Sequence, residues 1–241
     1  MAEKKKATRK KTNAVKVRGG QRKGAAAASG DPGTAALTLD RLEAAYPDAR
    51  VELDYSTPLE LLVATILSAQ CTDKRVNAVT RTLFRDYPNA RAYAEEDPEV
   101  LQEAIRSTGF FRQKTKSVQS CCARLVEDHG GDVPADLDLL TTLPGIGRKT
   151  ASVVMAVAYG QPAIAVDTHC RRVSQRLGLT FSKNPDIIER DLADLYPKER
   201  WASISKIFIW HGRYTCKARR PHCEACAVPD LCPFYQDGGT T

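Results

Sequence analysis

Apolar positions along this chain recur at helical spacing, with no convincing two-residue alternation of a strand and no internal repeat. Thr57-Pro58-Leu59-Glu60 is a helix start: Thr57 is the N-cap, Pro58 takes the first position and Glu60 completes a capping box. The run from Leu59 to Cys71 is apolar enough, through Leu61, Leu62, Val63, Ile66 and Leu67, to be buried, with polar residues from Ser68 to Asp73 at its far end. Pro98 to Ser107 reads as another helix, and so does the stretch from about Thr115 to Glu127. Between them, Thr108 to Lys114 forms a break with adjacent aromatics, of which Phe111 is read as a core anchor. Ala151 to Ala158 is almost wholly apolar and ends at Gly160, which predicts a central buried helix. Asn184-Pro185 opens a helix with Ile188, Leu192 and Leu195 on one face. A last stripe, Trp201, Ile204, Ile207, Phe208 and His211, leads directly to Cys216, with His211 read as a satisfied structural histidine.

One segment carries candidate chemistry. In Leu143-Pro144-Gly145-Ile146-Gly147-Arg148-Lys149-Thr150 the two glycines allow positive φ and leave backbone N–H groups uncovered, so an anion can approach where the next helix begins. Lys149 lies in the first turn of that helix, where the positive end of the dipole, with Arg148 beside it, is expected to raise the fraction of free amine available as a nucleophile. Asp167 follows eighteen residues later, in Val166-Asp167-Thr168-His169. Such a carboxylate can accept a proton or stabilise cationic character on a sugar carbon as its base departs. Read alone, the segment is equally the Gly-rich corner of a helical hairpin, with Lys149 exposed and Asp167 capping the Arg-rich run that ends at Gly178.

The eight cysteines fall into two populations. Cys71, Cys121, Cys122 and Cys170 sit in apolar, helix-like surroundings, where a thiol behaves as a small hydrophobe. Cys216, Cys223, Cys226 and Cys232 follow a C-x6-C-x2-C-x5-C spacing within seventeen residues, which suits a tetrahedral metal or an iron–sulfur cluster. Disulfides fit poorly, because no apolar signal segment precedes and the other cysteines show no pairing pattern. Zinc stays open as the alternative, although the spacing lacks the paired C-x2-C knuckles of a zinc ribbon. Lys206, Arg213, Lys217, Arg219 and Arg220 lie around this set, suited to a phosphate backbone or simply to solvent.

Together, Leu143-Pro-Gly-Ile-Gly-Arg-Lys149, Ala165-Val-Asp167-Thr-His169, His211-Gly-Arg-Tyr-Thr-Cys216 and the cysteine spacing resemble the endonuclease III family of DNA glycosylases, within the helix-hairpin-helix superfamily. The resemblance covers Leu37 to about Phe234. It implies an all-α protein: a six-helix barrel domain over 52–161, with the helix-hairpin-helix at about 137–158, and a [4Fe–4S] cluster domain from 35–51 and 162–235. It also implies double-stranded DNA with damaged bases or abasic sites in the cleft between them, and a monomeric enzyme. Lys149 maps onto the Schiff-base nucleophile, Asp167 onto the catalytic carboxylate, and the four clustered cysteines onto the cluster ligands. Gln70 matches a position near the flipped nucleotide, and Phe110 a wedge that fills the stack, where many relatives carry an aliphatic residue. Gly145, Gly147, Arg148 and His169 are placed against the DNA. Similar adenine glycosylases have a different residue at the lysine and a further C-terminal recognition domain, so Lys149 and the few residues after Cys232 point to oxidised pyrimidines. A noncatalytic or redox-sensing iron–sulfur DNA-binding protein is the rival reading, and a binder has no need for an amine poised beside a carboxylate.

Charge adds one element. The formal net charge is +7, yet residues 1–23 hold ten Lys or Arg and one Glu, a local balance of +9, so the remainder carries −2. The basic segment from Met1 to about Thr34 has few large apolar residues and is expected to be a disordered arm attracted to DNA, with residues 236–241 a flexible end. No apolar run approaches the roughly 20 residues of a membrane span. The absence of a signal peptide suggests the cytoplasm and nucleoid, or the nucleus of a eukaryote.

Overall fold

In the computed structural model, which describes residues 30–239, the ordered elements are helices throughout and no strand occurs among the described residues. They are α1 (Pro32–Ala45), α2 (Pro58–Leu67), α3 (Asp73–Asp86), α4 (Ala90–Glu95), α5 (Pro98–Ile105), α6 (Phe111–His129), α7 (Leu137–Thr142), α8 (Arg148–Ala158), α9 (Thr168–Arg176), α10 (Pro185–Leu195), α11 (Trp201–Tyr214) and α12 (Pro233–Gln236).

The starts are written in cap residues. Thr57 accepts from the Glu60 N–H at 3.2 Å, Asn184 from Asp186 and Asp167 from Cys170. Glu60 does reach back, but to the N–H of Ser56, one residue before the cap. Most of the basic arm lies outside the described residues. Its last residues do not: Asp31 accepts from Thr34 N at 2.9 Å, so an Asp-Pro cap starts α1 at Pro32, ahead of the expected boundary at Thr34.

Two apolar clusters divide the chain. One runs from Leu53 to Ala163 and is filled by α2 to α8, with Leu62, Leu67, Leu101, Val118, Leu125 and Val154 almost wholly buried. The other joins α1 to α9, α10 and α11 through Leu39, Leu42, Val173, Ile188, Leu192 and Phe208. Removing side chains of this size from water stabilises the fold by about 1.5–3 kcal/mol each.

Three elements differ from expectation. α2 stops at Leu67, and a loop runs on to Thr72 with Gln70 in the left-handed region (φ 53°). α6 begins at Phe111, four residues early, and its first turn carries Lys114 into the interior. The helix from Ala151 is buried on one face only, through Ala151, Ser152, Val154 and Met155, while Val153 faces a cavity.

Candidate functional site

The hairpin is α7, a turn through residues 143–147, and α8. Leu143 and Ile146 are buried and pin the turn, which closes with an Ile146 N–H to Leu143 carbonyl bond of 3.1 Å. Gly145 has φ 78°, and a Cβ there would stand 2.9 Å from the Ser117 Cβ of α6, so only glycine fits. Gly147 caps α8 with no side-chain acceptor, which leaves the first N–H groups of this helix for an outside anion.

Lys149, in the first turn of α8, and Asp167, the N-cap of α9, line one cavity of about 110 Å3 between the two apolar clusters. One carboxylate oxygen of Asp167 accepts from Cys170 N at 2.7 Å, so the capping role and the site coexist in one side chain. Both also stand at helix N-termini, where the macrodipoles raise the local positive potential.

Across the cavity, Arg213 of α11 donates to Glu52 and, at 2.6 Å, to Asp73 at the start of α3, and Tyr214 donates to Glu52. Arg213, which the sequence left open between a phosphate contact and solvent, is thereby engaged within the protein. Lys206 lines the same cavity. Glu52 gave no signal in the sequence; Asp73 was visible only as a polar residue after the first apolar run. Arg148 is likewise paired: Nε and Nη2 each lie 2.7 Å from the carboxylate of Glu189 on α10.

The other DNA-contact expectations fall in different places. Phe110 is 65 % exposed on a left-handed backbone (φ 48°), just before α6, whereas Phe111 packs on the core. Gln70 is exposed within the loop between α2 and α3. His169 is half-buried, with Nδ1 3.2 Å from Arg172 Nη2, and its Cβ lies where α11 passes at Gly212. It does not line the cavity of Lys149 and Asp167.

Cys216, Cys223, Cys226 and Cys232 surround a second cavity, and none of them is in a disulfide. Arg176 donates to the Cys216 sulfur at 3.4 Å and stacks on Phe234. His211 is almost fully buried, with Nδ1 2.8 Å from the Tyr46 hydroxyl and Nε2 3.8 Å from the Cys226 sulfur; burial, with Arg172 nearby, pushes its pKa down to about 4. Among the described residues no three His, Cys, Asp or Glu side chains converge on a single metal-ion position. By contrast, Cys121, Cys122 and Cys170 are buried in the cores, where desolvation pushes Cys121 and Cys170 up to about 12.

Residues 63–198 match the family described as HhH-GPD superfamily base excision DNA repair protein. The chain is 53% identical over 196 residues to Endonuclease III of Synechocystis sp., covering 81% of this chain and 90% of that one, and 48% identical over 195 residues to Endonuclease III of Bacillus subtilis, covering 80% and 89%. Among solved structures, a trapped covalent intermediate of endonuclease III with DNA superposes with a TM-score of 0.82 at 43% identity, over 86% of this chain and 98% of that one. A thermostable thymine-DNA glycosylase shares the fold at 21% identity, with a TM-score of 0.78 over 85% and 98% of the two chains.

Proposed function

The chain belongs to the endonuclease III family of HhH-GPD base excision DNA repair proteins and is a DNA glycosylase and abasic-site lyase; from that premise we propose that Lys149 and Asp167 perform its chemistry on oxidised pyrimidines in duplex DNA. One observation carries the assignment: an amine and a carboxylate from two separate helix starts open onto the same cavity.

Extruding a base costs a few kcal/mol, less for a damaged base whose stacking is already weakened. As the glycosidic bond breaks and the base leaves with the bonding electrons, the Lys149 amine bonds to C1′. Asp167 stabilises the positive charge that grows on the sugar and accepts the proton the amine gives up. The ring opens to a Schiff base. Loss of a proton from C2′ then expels the 3′ phosphate, and water releases Lys149. The N–H groups at the start of α8 and the turn at Gly145 and Gly147 hold a backbone phosphate, while Gln70 and Phe110 occupy the gap left in the stack.

Residues 52–161 form one domain, and residues 35–51 with 162–235 the other; the separate apolar clusters support this division. Cys216, Cys223, Cys226 and Cys232 would hold a [4Fe–4S] cluster, a reading supported by the one cavity that all four line. The cluster supplies structure here, since neither elimination nor base release requires an electron. It fixes the loop that carries Arg219 and Arg220, both exposed. Among the described residues no helix is long and apolar enough to cross a membrane.

Borohydride trapping on duplexes with one thymine glycol or one abasic site tests the reading, with Lys149→Gln as control. A covalent adduct and a nick on both, lost in the variant, are expected. Binding without any adduct would return the chain to a noncatalytic role.

A further inference from the structure

Lys114 is 4 % exposed, although nothing in the sequence marks it for the interior. Among the described residues its ammonium meets no carboxylate. Nζ donates at 2.8 Å to the carbonyl of Leu67 and at 2.8 Å to that of Thr108, and burial lowers its affinity for the proton. Leu67 is the last residue of α2, so the charge sits at the negative end of that helix. Burying an ammonium is costly, and a well-packed apolar side chain is often as stable in such a place. The reason for a lysine therefore lies in what its two partners lead to.

Three residues past Leu67 is Gln70, and two past Thr108 is Phe110. Outside glycine, only Gln70, Phe110 and Arg220 have positive φ among the described residues. Left-handed backbone costs such residues on the order of 1 kcal/mol and persists only when its surroundings fix it. Both side chains are exposed, and the Lys114 N–H also bonds the Phe110 carbonyl at 3.0 Å.

We infer that Lys114 is a positioning residue that locks the Gln70 and Phe110 loops into one rigid pair, so that both side chains enter the duplex together. The inference rests on the proposed DNA contacts of those two residues. It makes the role of Lys114 specific to duplex substrate, since a single strand has no stack to hold open.

Lys114→Met keeps the bulk and removes the donor; Lys114→Gln, shorter but still polar, serves should the first variant not fold. Each is compared with Gln70→Ala, Phe110→Ala and the Lys114→Met/Phe110→Ala double variant, on a thymine glycol duplex and on a single-stranded abasic oligonucleotide. Loss of two charge-assisted bonds is expected to slow duplex processing about tenfold or more, with single-strand trapping unchanged. The double variant should be little slower than Phe110→Ala alone, because both changes remove one function. Equal losses on duplex and single strand would show a general packing role and overturn the inference. So would additive losses in the double variant. If Gln70→Ala and Phe110→Ala leave duplex processing intact, the contact reading itself falls, and the inference with it; if they impair it while Lys114→Met does not, the inference alone fails.

Discussion

Arg148 and Glu189 form a bidentate ion pair that ties the start of α8, beside Lys149, to α10, 41 residues away in sequence. The guanidinium next to Lys149 is therefore neutralised before DNA arrives. Glu189→Gln should release it, strengthening DNA binding and steepening the dependence of log affinity on log salt by about one phosphate contact. The pair is partly exposed, so stability should fall by no more than about 1 kcal/mol. Anisotropy titrations over a salt series check the slope; an unchanged slope would mean Arg148 does not face phosphate once freed.

Asp167 serves as cap and as carboxylate, and substitution can separate the two. Asp167→Asn keeps an acceptor for Cys170 N but removes the charge. Thermal stability should stay close to that of the parent, while turnover falls by about two to three orders of magnitude. Asp167→Ala should lose roughly 1 kcal/mol of stability as well. Single-turnover cleavage beside thermal melts distinguishes them.

Gly145→Ala faces two obstacles, a φ of 78° and a Cβ contact of 2.9 Å with Ser117. The change should destabilise the protein by about 1–3 kcal/mol and weaken DNA binding. At Gly147 nothing lies within 4 Å of an added Cβ, so Gly147→Ala should be clearly milder in denaturant titrations. Equal losses at the two positions would contradict the hairpin geometry.

Arg213 bridges Glu52 and Asp73 in the lining of the cavity, with side chains 30%, 29% and 17% exposed. Arg213→Ala leaves two half-buried carboxylates facing each other and the phosphates of an incoming strand. A loss of roughly 1–3 kcal/mol in stability is expected, together with weaker duplex binding. Urea unfolding and affinity measurements read the two effects, and restoring neutrality with Glu52→Gln in the same chain should recover part of both.

For the cysteine set the discriminating measurement is elemental. The purified protein is expected to show a broad visible absorption and to contain iron and acid-labile sulfide in near-equal amounts. Cys226→Ser should lose both and should unfold more readily, because a group bound only by the folded chain stabilises it by mass action. Zinc at one atom per chain, without sulfide, would replace the cluster assignment.

Local signals carried most of the helix inventory and the identity of the candidate site. Thr57, Asp167 and Asn184 mark helix starts because a cap satisfies N–H groups within three residues of itself, a relationship the linear chain contains in full. The cysteine spacing and the Gly145 turn were legible for the same reason. Tertiary structure alone decided the partners of long charged side chains. Arg148 finds Glu189, Arg213 finds Glu52 and Asp73, and Lys114 finds two carbonyls, at separations of 41, 161, 140, 47 and 6 residues. No periodicity encodes such meetings, since they depend on how helices pack, within one apolar cluster for Lys114 and across the two clusters for Arg148 and Arg213. A flexible side chain can take any acceptor that packing brings within reach, so Lys149 and Asp167 could be named from sequence, whereas the charges that frame them could not.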